Sequence, residues 1–303
     1  MITGELRSKV DKIWEIFWTG GITNPLSVIE QFTYLLFIKS LDDKQKEEEK
    51  LAEFVGTDFN QIFDDNQQNL RWHNFKQMSA SDMYETVSKK VFPFIKTMHG
   101  DKDSAFTKYM DDAIFMIPTP QMFEKIVTNI DGLPVKGGNT TDTKGGIYEY
   151  LLSKVATAGT NGQFRTPRHI IKMMVELMQP TPTDIIVDPA AGSAGFLVEA
   201  GEYLKRNNED MFTIKELKDH YHNDMFFGND MDRTMLRIGA MNMMLHGVDS
   251  PNIEYRDSLS ETNKDREKYT LVLANPPFKG SLDYDSVSAD LLKVTKTKKT
   301  ELL

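Results

Sequence analysis

The second half of the chain alternates short apolar segments with segments of helical periodicity, and this alternation limits the fold most strongly. Apolar segments occupy residues 185–188, 226–229 and 269–273, and helical patterns start near Gly195 and Arg233. Short apolar strands that alternate with helices form a parallel sheet with helices on both faces. Ligands bind such sheets at the carboxyl ends of the strands. We therefore expect an α/β, Rossmann-like domain whose functional residues directly follow the strands.

Residues 1–140 carry helical periodicity alone, and we predict an all-α N-terminal domain there. The apolar residues at helical spacing are Val10, Ile13, Trp14, Phe17, Ile29, Phe32, Leu35 and Leu36. Residues 42–50 are nearly all charged, which favours a solvated helix face. The glycine-rich residues 131–146 have the composition of a linker or an exposed loop. We place the domain boundary in this segment, so that the α/β domain comprises residues 141–303.

The composition indicates a soluble protein. A chain of 303 residues, 40% of them hydrophobic, can bury two cores. No apolar segment approaches the roughly 20 residues of a membrane span, and the absence of an export signal predicts a cytoplasmic location without membrane contact. The chain has no cysteine, which excludes disulfides and thiolate metal sites. His220 and His222 lack a third ligand in the sequence around them, so we expect no metal.

A turn of small residues joins the first apolar strand to the helix that follows it. Small side chains allow a ligand to approach the backbone and the amino end of the helix. Turns of this kind are also common as purely structural connections, and the turn alone leaves both interpretations open. The turn residues that would contact a cofactor are Asp188, Ala190, Gly192, Ser193 and Gly195.

Asp230 ends the next strand, where a carboxylate can accept hydrogen bonds from both ribose hydroxyls of an adenosine moiety. Its distance from Asp188 exceeds the roughly 20 residues that are typical of a dinucleotide fold. Residues 207–224, which lie between the two acids, have the pattern of an inserted helix. This spacing disfavours a nicotinamide enzyme and leaves an adenosyl cofactor open. Taken singly, Asp230 also fits a helix-capping acid.

The third strand ends in Asn275, Pro276, Pro277 and Phe278, which we predict to be the catalytic residues. An exocyclic amino group is a poor nucleophile because its lone pair is delocalised into the ring. The Asn275 side-chain oxygen and the Pro276 carbonyl can accept hydrogen bonds from the two N–H groups of this amine, which favours its pyramidal, reactive form. Phe278 can stack on a base that is extruded from the duplex. The tripeptide can also simply end a strand, but its position behind two cofactor motifs favours catalysis.

These motifs, in this order, resemble the adenine-N6 DNA methyltransferases, whose cofactor is S-adenosylmethionine, and the resemblance covers residues 147–280. The segment Gly162–Pro167 is similar to the upstream motif of that family, which helps to hold the methionine end of the cofactor. The resemblance implies cofactor contacts from Gln163, Phe164 and Thr166. Asp257 and Ser258 resemble the family's element beside the cofactor adenine, with Asp257 accepting from the adenine amino group. Without the flanking motifs, Asp257 would be read as a turn acid.

The helical first part, together with residues 147–152, is similar to the modification subunit of type I restriction-modification systems. This resemblance implies that the chain methylates adenine in DNA. It also implies a separate specificity subunit, which recognises the target sequence, and a restriction subunit in the same assembly. The formal net charge of −9 agrees with such a division, because a chain this acidic is poorly equipped to neutralise phosphates alone.

Members of this family normally continue well beyond the motif that contains Asn275, so we expect a C-terminally truncated methyltransferase domain whose independent activity is doubtful. Two alternatives stay open. One is a fragment that binds cofactor or supports assembly without catalysis of its own. The other is a protein glutamine methyltransferase, because the same tripeptide followed by an aromatic residue occurs in those enzymes and a side-chain amide poses the same chemical problem.

Overall fold

The computed structural model describes residues 2, 4–56, 58–59, 61–98, 110–133, 140–158, 166–276 and 285–294. The chain divides into two compact units, Met1–Thr160 and Asn161–Leu303. The first unit is helical, as expected, and the second is built on a parallel sheet. None of the helices in the described ranges combines the length and the apolar character that crossing a bilayer requires.

The helical unit follows the periodicity of the sequence. Its α-helices are α1 (Gly4–Thr19), α2 (Pro25–Val55), α3 (Trp72–Phe75), α4 (Ala80–Thr86), α5 (Phe92–Thr97), α6 (Pro120–Asp131) and α7 (Thr140–Ala158). A 3₁₀-helix at Asp65–Leu70 precedes α3, and a π-helical turn at Val87–Val91 joins α4 to α5. The predicted apolar residues of α1 and α2 are buried, except that Trp14 is half-buried. Their burial confirms that the periodicity marks core-facing sides of helices.

Helix α2 begins and ends where the sequence supplies caps. The Asn24 side chain accepts a hydrogen bond from the backbone N–H of Leu26, and Pro25 takes the first helical position, where its missing N–H has no intrahelical partner to lose. Gly56 ends the helix in the left-handed conformation, with a φ of 75°. Between these caps the helix runs for 31 residues, long enough to contact both α3 and α7.

The expectation that residues 42–50 form a solvated helix face is wrong at Asp42, whose side chain is fully buried in α2. Asp42 accepts hydrogen bonds from Arg71 Nε at 2.8 Å, from Lys46 Nζ at 2.9 Å and from the backbone N–H of His73 at 2.9 Å. The partners Arg71 and His73 come from a later segment of the chain. Burial is tolerated here because each carboxylate oxygen is hydrogen-bonded.

Helix α7 belongs to the helical unit because it packs against α2. Its Tyr150 hydroxyl donates to Asp11 Oδ1 in α1 at 2.7 Å, and Lys154 Nζ lies 2.6 Å from the same oxygen. The division in space therefore falls at Thr160, whereas the composition of the sequence places the boundary at residue 140. Composition marks the glycine-rich segment, but the packing of the following helix decides to which compact unit it belongs.

The second unit contains a four-stranded sheet with the strand order β3-β2-β1-β4. Its strands are β1 (Ile186–Asp188), β2 (Phe226–Asp230), β3 (Asn252–Tyr255) and β4 (Leu271–Val272). All three pairings are parallel, which confirms the α/β, Rossmann-like fold. Because β4 lies on the side of β1 opposite β2, the strand order reverses between β1 and β4. A crevice at the carboxyl ends of the strands is expected at such a reversal.

Helices connect and cover these strands. They are α8 (Arg168–Met178), α9 (Gly195–Asn207), α10 (Lys215–Asn223), α11 (Arg233–Leu245) and α12 (Ala289–Val294), with a 3₁₀-helix at Glu209–Thr213. The predicted inserted helix is present as this 3₁₀-helix followed by α10. Leu197 of α9 and Met241 of α11 are fully buried, as is Ile253 of β3. The apolar faces of the helices therefore form one core with the sheet, and the polar strand ends remain at its edge.

Candidate functional site

The turn between β1 and α9 contains the small residues that the sequence singles out. Gly192 adopts the left-handed conformation with a φ of 51°, and Ala194 does so with a φ of 60°. A Cβ built on Gly192 would meet no atom within 4 Å, so open space lies beside its backbone. Helix α9 begins at Gly195, and the first N–H groups of a helix have no intrahelical partner. This turn thus offers a ligand an accessible backbone beside hydrogen-bond donors.

Asp230 connects the end of β2 to this turn. Its Oδ2 accepts a hydrogen bond from the Gly192 N–H at 2.8 Å, and its Oδ1 accepts one from the Asp232 N–H at 2.8 Å. An ionised carboxylate has about four acceptor positions, so two backbone donors leave capacity for a ligand. The structure thus brings together two of the predicted cofactor-binding motifs, which lie on neighbouring strands.

The loop after β3 is attached to the same turn through a chain of hydrogen bonds. The Ser258 hydroxyl donates to the Pro189 carbonyl at 2.6 Å and accepts from Asn229 Nδ2 at 3.2 Å. The Asp257 carboxylate accepts from the Leu259 N–H at 3.0 Å, which shapes the loop locally. Ser258 therefore contacts the turn itself, and its predicted role as a cofactor contact stays a prediction.

Helix α11 supplies two supports of the turn that the sequence analysis did not identify. Asn242 is fully buried, and its Nδ2 donates to the Ser193 carbonyl at 2.8 Å. A Cβ on Gly239 would lie 2.9 Å from the Gly192 carbonyl oxygen, so only glycine allows this approach of helix and turn. A glycine inside a helix costs about 1 kcal/mol of stability relative to alanine. The signal in the sequence that points to Gly239 is therefore the presence of a glycine within a helical pattern.

Asp188, the last residue of β1, is buried beneath the turn, with 2% of its surface exposed. Its Oδ1 accepts a hydrogen bond from the Ala190 N–H at 3.0 Å. Burial raises the pKa of Asp188 to about 7; the Ala190 N–H opposes this rise, and the negative charge of Asp230 adds to it. The turn is therefore built over a carboxyl group that folding makes difficult to ionise.

We expect Asp188→Asn to stabilise the protein increasingly as the pH rises. The pKa of Asp188 is higher in the folded chain than in the unfolded chain, so its stabilising contribution is complete below pH 4 and is lost as the pH rises through 7. Asparagine does not titrate. The difference in unfolding free energy between variant and parent should grow by about 2 kcal/mol between pH 5 and 7. Denaturant unfolding at both pH values measures it, and a pH-independent difference would contradict the assignment.

An open cavity of about 510 Å³ lies beside Asp257. Its lining residues are Met231, Tyr255, Arg256, Asp257, Thr262, Lys264 and Asp265. Met231 and Tyr255 are half-exposed, so they present apolar surface to the cavity next to a carboxylate. The other five lining residues are polar or charged, so hydrogen-bonding groups stand beside two apolar side chains, which suits a planar heterocycle that carries an amino group. Met231 directly follows Asp230, which places the cavity next to the ribose-binding residue that the sequence predicts.

Asn275 follows β4, the neighbour of β1 on the other side of the sheet. The Leu273 N–H donates to the Val187 carbonyl at 2.9 Å and holds the end of β4 against β1. The Asn275 Nδ2 donates to the Thr166 hydroxyl oxygen at 2.7 Å. The structure thus joins the predicted catalytic amide to a residue of the upstream motif, and Pro276 next to it is exposed.

Some predicted residues lie outside the described residues, namely Gln163, Phe164, Pro277 and Phe278. Within the described part of the chain, no three His, Asp or Glu side chains are grouped so that they could hold a metal ion. His220 Nε2 lies 2.9 Å from the Asp184 carbonyl oxygen, and His222 Nδ1 lies 3.3 Å from the Asp249 carboxylate. The two histidines therefore have partners within the fold.

The known proteins similar to this chain include methylase subunits of type I restriction enzymes. The EcoKI methylase subunit of Escherichia coli K12 is 26% identical over 315 residues, which cover 98% of this chain and 54% of that protein. The StySJI methylase subunit of Salmonella typhimurium LT2 is 25% identical over 310 residues, with the same coverages. The chain thus spans about half the length of the curated relatives it matches.

Solved structures and family models agree with these relatives. A chain from Vibrio vulnificus YJ016, described as a modification subunit of a type I restriction enzyme, superposes with a TM-score of 0.79 and 22% identity, covering 97% of this chain and 64% of that one. This likeness shows a shared fold. The model of the HsdM N-terminal domain matches residues 6–130, and the model of the N-6 DNA methylase family matches residues 139–301. Since the latter match covers more than half of the chain, this protein belongs to the N-6 DNA methylase family.

Proposed function

We propose that this chain is the modification subunit of a type I restriction-modification system and transfers a methyl group from S-adenosylmethionine to the N6 amino group of adenine in DNA. The observation that carries the proposal is the placement of Asn275 and Pro276 at the end of β4, beside the turn that follows Asp188 on β1. In a sheet of this order, the reacting amide and the cofactor turn share one edge. The name of the family to which the chain belongs, N-6 DNA methylase, describes methylation of DNA at an N-6 position.

The described residues fit S-adenosylmethionine. The open space beside Gly192 allows the cofactor to reach the backbone of the turn, where a Cβ would otherwise intrude. Asp230 has acceptor capacity for the ribose hydroxyls, and Asp257 borders a cavity large enough for the adenine ring. Burial raises the pKa of Asp188, beneath the turn, to about 7, so this carboxyl carries part of its negative charge at neutral pH. The cofactor carries a positively charged sulfur and supplies an electrophilic methyl group.

The residues of the chain act on the target amine. The Asn275 Oδ1 and the Pro276 carbonyl accept hydrogen bonds from its two N–H groups and favour its pyramidal form, in which the nitrogen lone pair is available. We assign stacking on the extruded base to Phe278, as the sequence analysis predicts. A strong general base is not required, because the proton of the amine becomes acidic once the methyl group is transferred and can pass to water.

The net charge of the chain and its related type I methylase subunits support two protein partners and DNA. A chain with a formal net charge of −9 binds the DNA backbone poorly alone, so a specificity subunit would supply the contacts that select and hold the target. A restriction subunit would join the same assembly. The cytoplasmic location expected from the sequence stays a prediction.

A second function is favoured by the coverage of the relatives. That function is cofactor binding without turnover by the 303-residue chain alone, and the chain spans 54% of the length of the EcoKI methylase subunit. Methyl-transfer assays on this chain, alone and with a specificity subunit, distinguish methyl transfer from cofactor binding without turnover. Turnover by the chain alone excludes the second function. The same assays with protein and DNA substrates test the glutamine alternative, which predicts transfer to protein and none to DNA.

We expect Asp230→Asn to weaken the binding of S-adenosylmethionine by about 10-fold or more, because hydrogen bonds to a charged acceptor contribute about 1.5–3 kcal/mol each. Asparagine also replaces one acceptor oxygen by a donor. Calorimetric titration with the cofactor measures the change. Asp224→Asn is the matched control, since Asp224 is exposed at the end of α10 and away from the turn. Equal affinities of the parent and Asp230→Asn would contradict the assignment of Asp230.

A further inference from the structure

We propose that Thr166 is a positioning residue, which orients the Asn275 amide for the reaction, rather than a cofactor contact as its motif implies. The inference rests on the proposed function and concerns the same site. It starts from the hydrogen bond in which the Asn275 Nδ2 donates to the Thr166 Oγ1 at 2.7 Å. The two residues are 109 positions apart in the chain, so the pair forms only when distant segments of the second unit come together.

The chemistry requires a defined amide orientation. The oxygen and nitrogen of an asparagine side chain are nearly equal in shape, and the terminal torsion has a broad, roughly two-fold profile. Rotation by half a turn would present the NH₂ group to the target amine, so that two donors would face each other. Rotation out of the reactive orientation breaks the hydrogen bond from Nδ2 to the Thr166 Oγ1, and the hydroxyl must then turn its own O–H towards Oδ1 to form a new one. Because the amide is planar, fixing Nδ2 on Thr166 also fixes the direction of Oδ1.

The backbones of both partners are restrained by a following proline. Thr166 precedes Pro167, and Asn275 precedes Pro276. A residue before proline is confined to extended conformations, which limits where its side chain can be placed. Neither side chain is fully buried, so packing alone does not fix the amide. The hydrogen bond between two restrained residues provides the orientation that catalysis needs.

Helix α8 gives Thr166 a fixed support. Pro167 is the N-cap of α8, and its carbonyl accepts the N–H of Ile171 at 3.1 Å. The helix is anchored through the buried Ile171 and Val175 and through Arg168, which lies 3.7 Å from the Glu199 carboxylate in α9. Thr166 is thus attached to a helix that packs against α9, which in turn contacts β1 and β2. The distance between hydroxyl and amide is set by this packing rather than by a local turn.

Three variants test the assignment. Thr166→Val keeps the shape of the side chain and removes the acceptor, and Thr166→Ser keeps the acceptor. Thr213→Val is the control, because the Thr213 hydroxyl bonds the Asp210 carbonyl on the surface and touches none of the site residues. Each variant is prepared in the chain assembled with the specificity subunit that supports methylation. Single-turnover methyl transfer gives the rate of the chemical step, and calorimetry gives the affinity for S-adenosylmethionine.

A positioning role predicts a rate effect without a binding effect. We expect Thr166→Val to lower the single-turnover rate by about 10-fold or more, with cofactor affinity within about two-fold of the parent. Thr166→Ser should restore the rate to within about three-fold, and Thr213→Val should match the parent. An unchanged rate in Thr166→Val overturns the inference. So does a parallel loss of cofactor affinity, which would instead make Thr166 a cofactor contact.

A measurement without turnover separates this inference from the proposed function. Asparagine labelled with ¹⁵N reports the two Nδ2 protons of Asn275 by nuclear magnetic resonance, and the signal is assigned by its loss in Asn275→Asp. We expect Thr166→Val to shift these protons and Thr166→Ser to leave them near their original positions. Insensitivity to Thr166→Val overturns the positioning role. Absence of DNA methylation by the parent assembly, with the shift intact, overturns the proposed function alone.

Discussion

Replacing Asn275 with alanine is expected to lower methyl transfer by about 100- to 1,000-fold, because loss of one preorganised group at a reacting centre costs about 3–4 kcal/mol. Alanine offers the target amine no side-chain acceptor, so its lone pair stays in the ring. The cofactor turn is built from residues after β1, β2 and β3, which the substitution does not touch. Affinity for S-adenosylmethionine should therefore be retained.

The measurement compares single-turnover methylation of a DNA duplex by the parent and by Asn275→Ala, each assembled with the specificity subunit. Calorimetry on the same preparations reports cofactor binding. Asn207→Ala serves as the control, since Asn207 is exposed at the end of α9 and bonds only the Tyr203 carbonyl in the described structure. Methylation by Asn275→Ala at the parent rate would contradict the catalytic role. A parallel loss of cofactor affinity would place Asn275 in the cofactor site instead.

The fold and the outline of the site could be predicted from the sequence because they depend on local patterns. β1, β2 and β4 coincide with short apolar segments, and the polar residue that follows the apolar residues of each must lie at the carboxyl edge of a parallel sheet. The pattern therefore predicts that Asp188, Asp230 and Asn275 lie at this edge. The structure places Asp188 and Asp230 at the ends of β1 and β2 and Asn275 just after β4, and those three strands are adjacent in the sheet.

The supports of the site could not be predicted, because they join residues that are distant in sequence. Asn242 reaches the Ser193 carbonyl from a helix 49 residues later, and Thr166 meets Asn275 across 109 residues. Nothing in the local pattern around Asn242 distinguishes it from a polar residue on the solvated side of α11. Packing of the helices on the sheet determines these pairs, and packing is not encoded in any single segment.

The charged segment of α2 was predicted wrongly for the same reason, because its contacts are made with residues that are distant in sequence. Its acids and lysines resemble a solvated face, yet Asp42 is fully buried. Its partner Arg71 lies 29 residues away and is itself buried, with 5% of its side chain exposed. Arg71 also binds the Glu49 carboxylate through two nitrogens, at 2.6 and 2.9 Å. One arginine thus ties two acids of the same helix to the segment that precedes α3.

We expect Asp42→Asn to destabilise the helical unit by about 3 kcal/mol at pH 7. Removal of one member of a buried ion pair costs about 3–5 kcal/mol, and we expect the lower end because Arg71 keeps Glu49. The amide also turns an acceptor for Lys46 or His73 into a donor. Urea unfolding monitored by helical circular dichroism measures the change. Glu47→Gln, an exposed position on the same helix, is the control and should stay within about 0.5 kcal/mol of the parent.

The pH dependence tests the cause of this destabilisation. Burial alone would raise the pKa of Asp42, but the hydrogen bonds from Arg71, Lys46 and His73 outweigh it and lower the pKa from 3.8 to about 2. A carboxyl whose pKa is lower in the folded chain stabilises it above the unfolded pKa, and this contribution is lost as the pH falls through the folded pKa. The difference between parent and Asp42→Asn should therefore be constant above pH 5 and shrink from pH 4 towards 2. A difference that persists undiminished at pH 2 would mean that packing, rather than the charge of Asp42, holds α2 to Arg71.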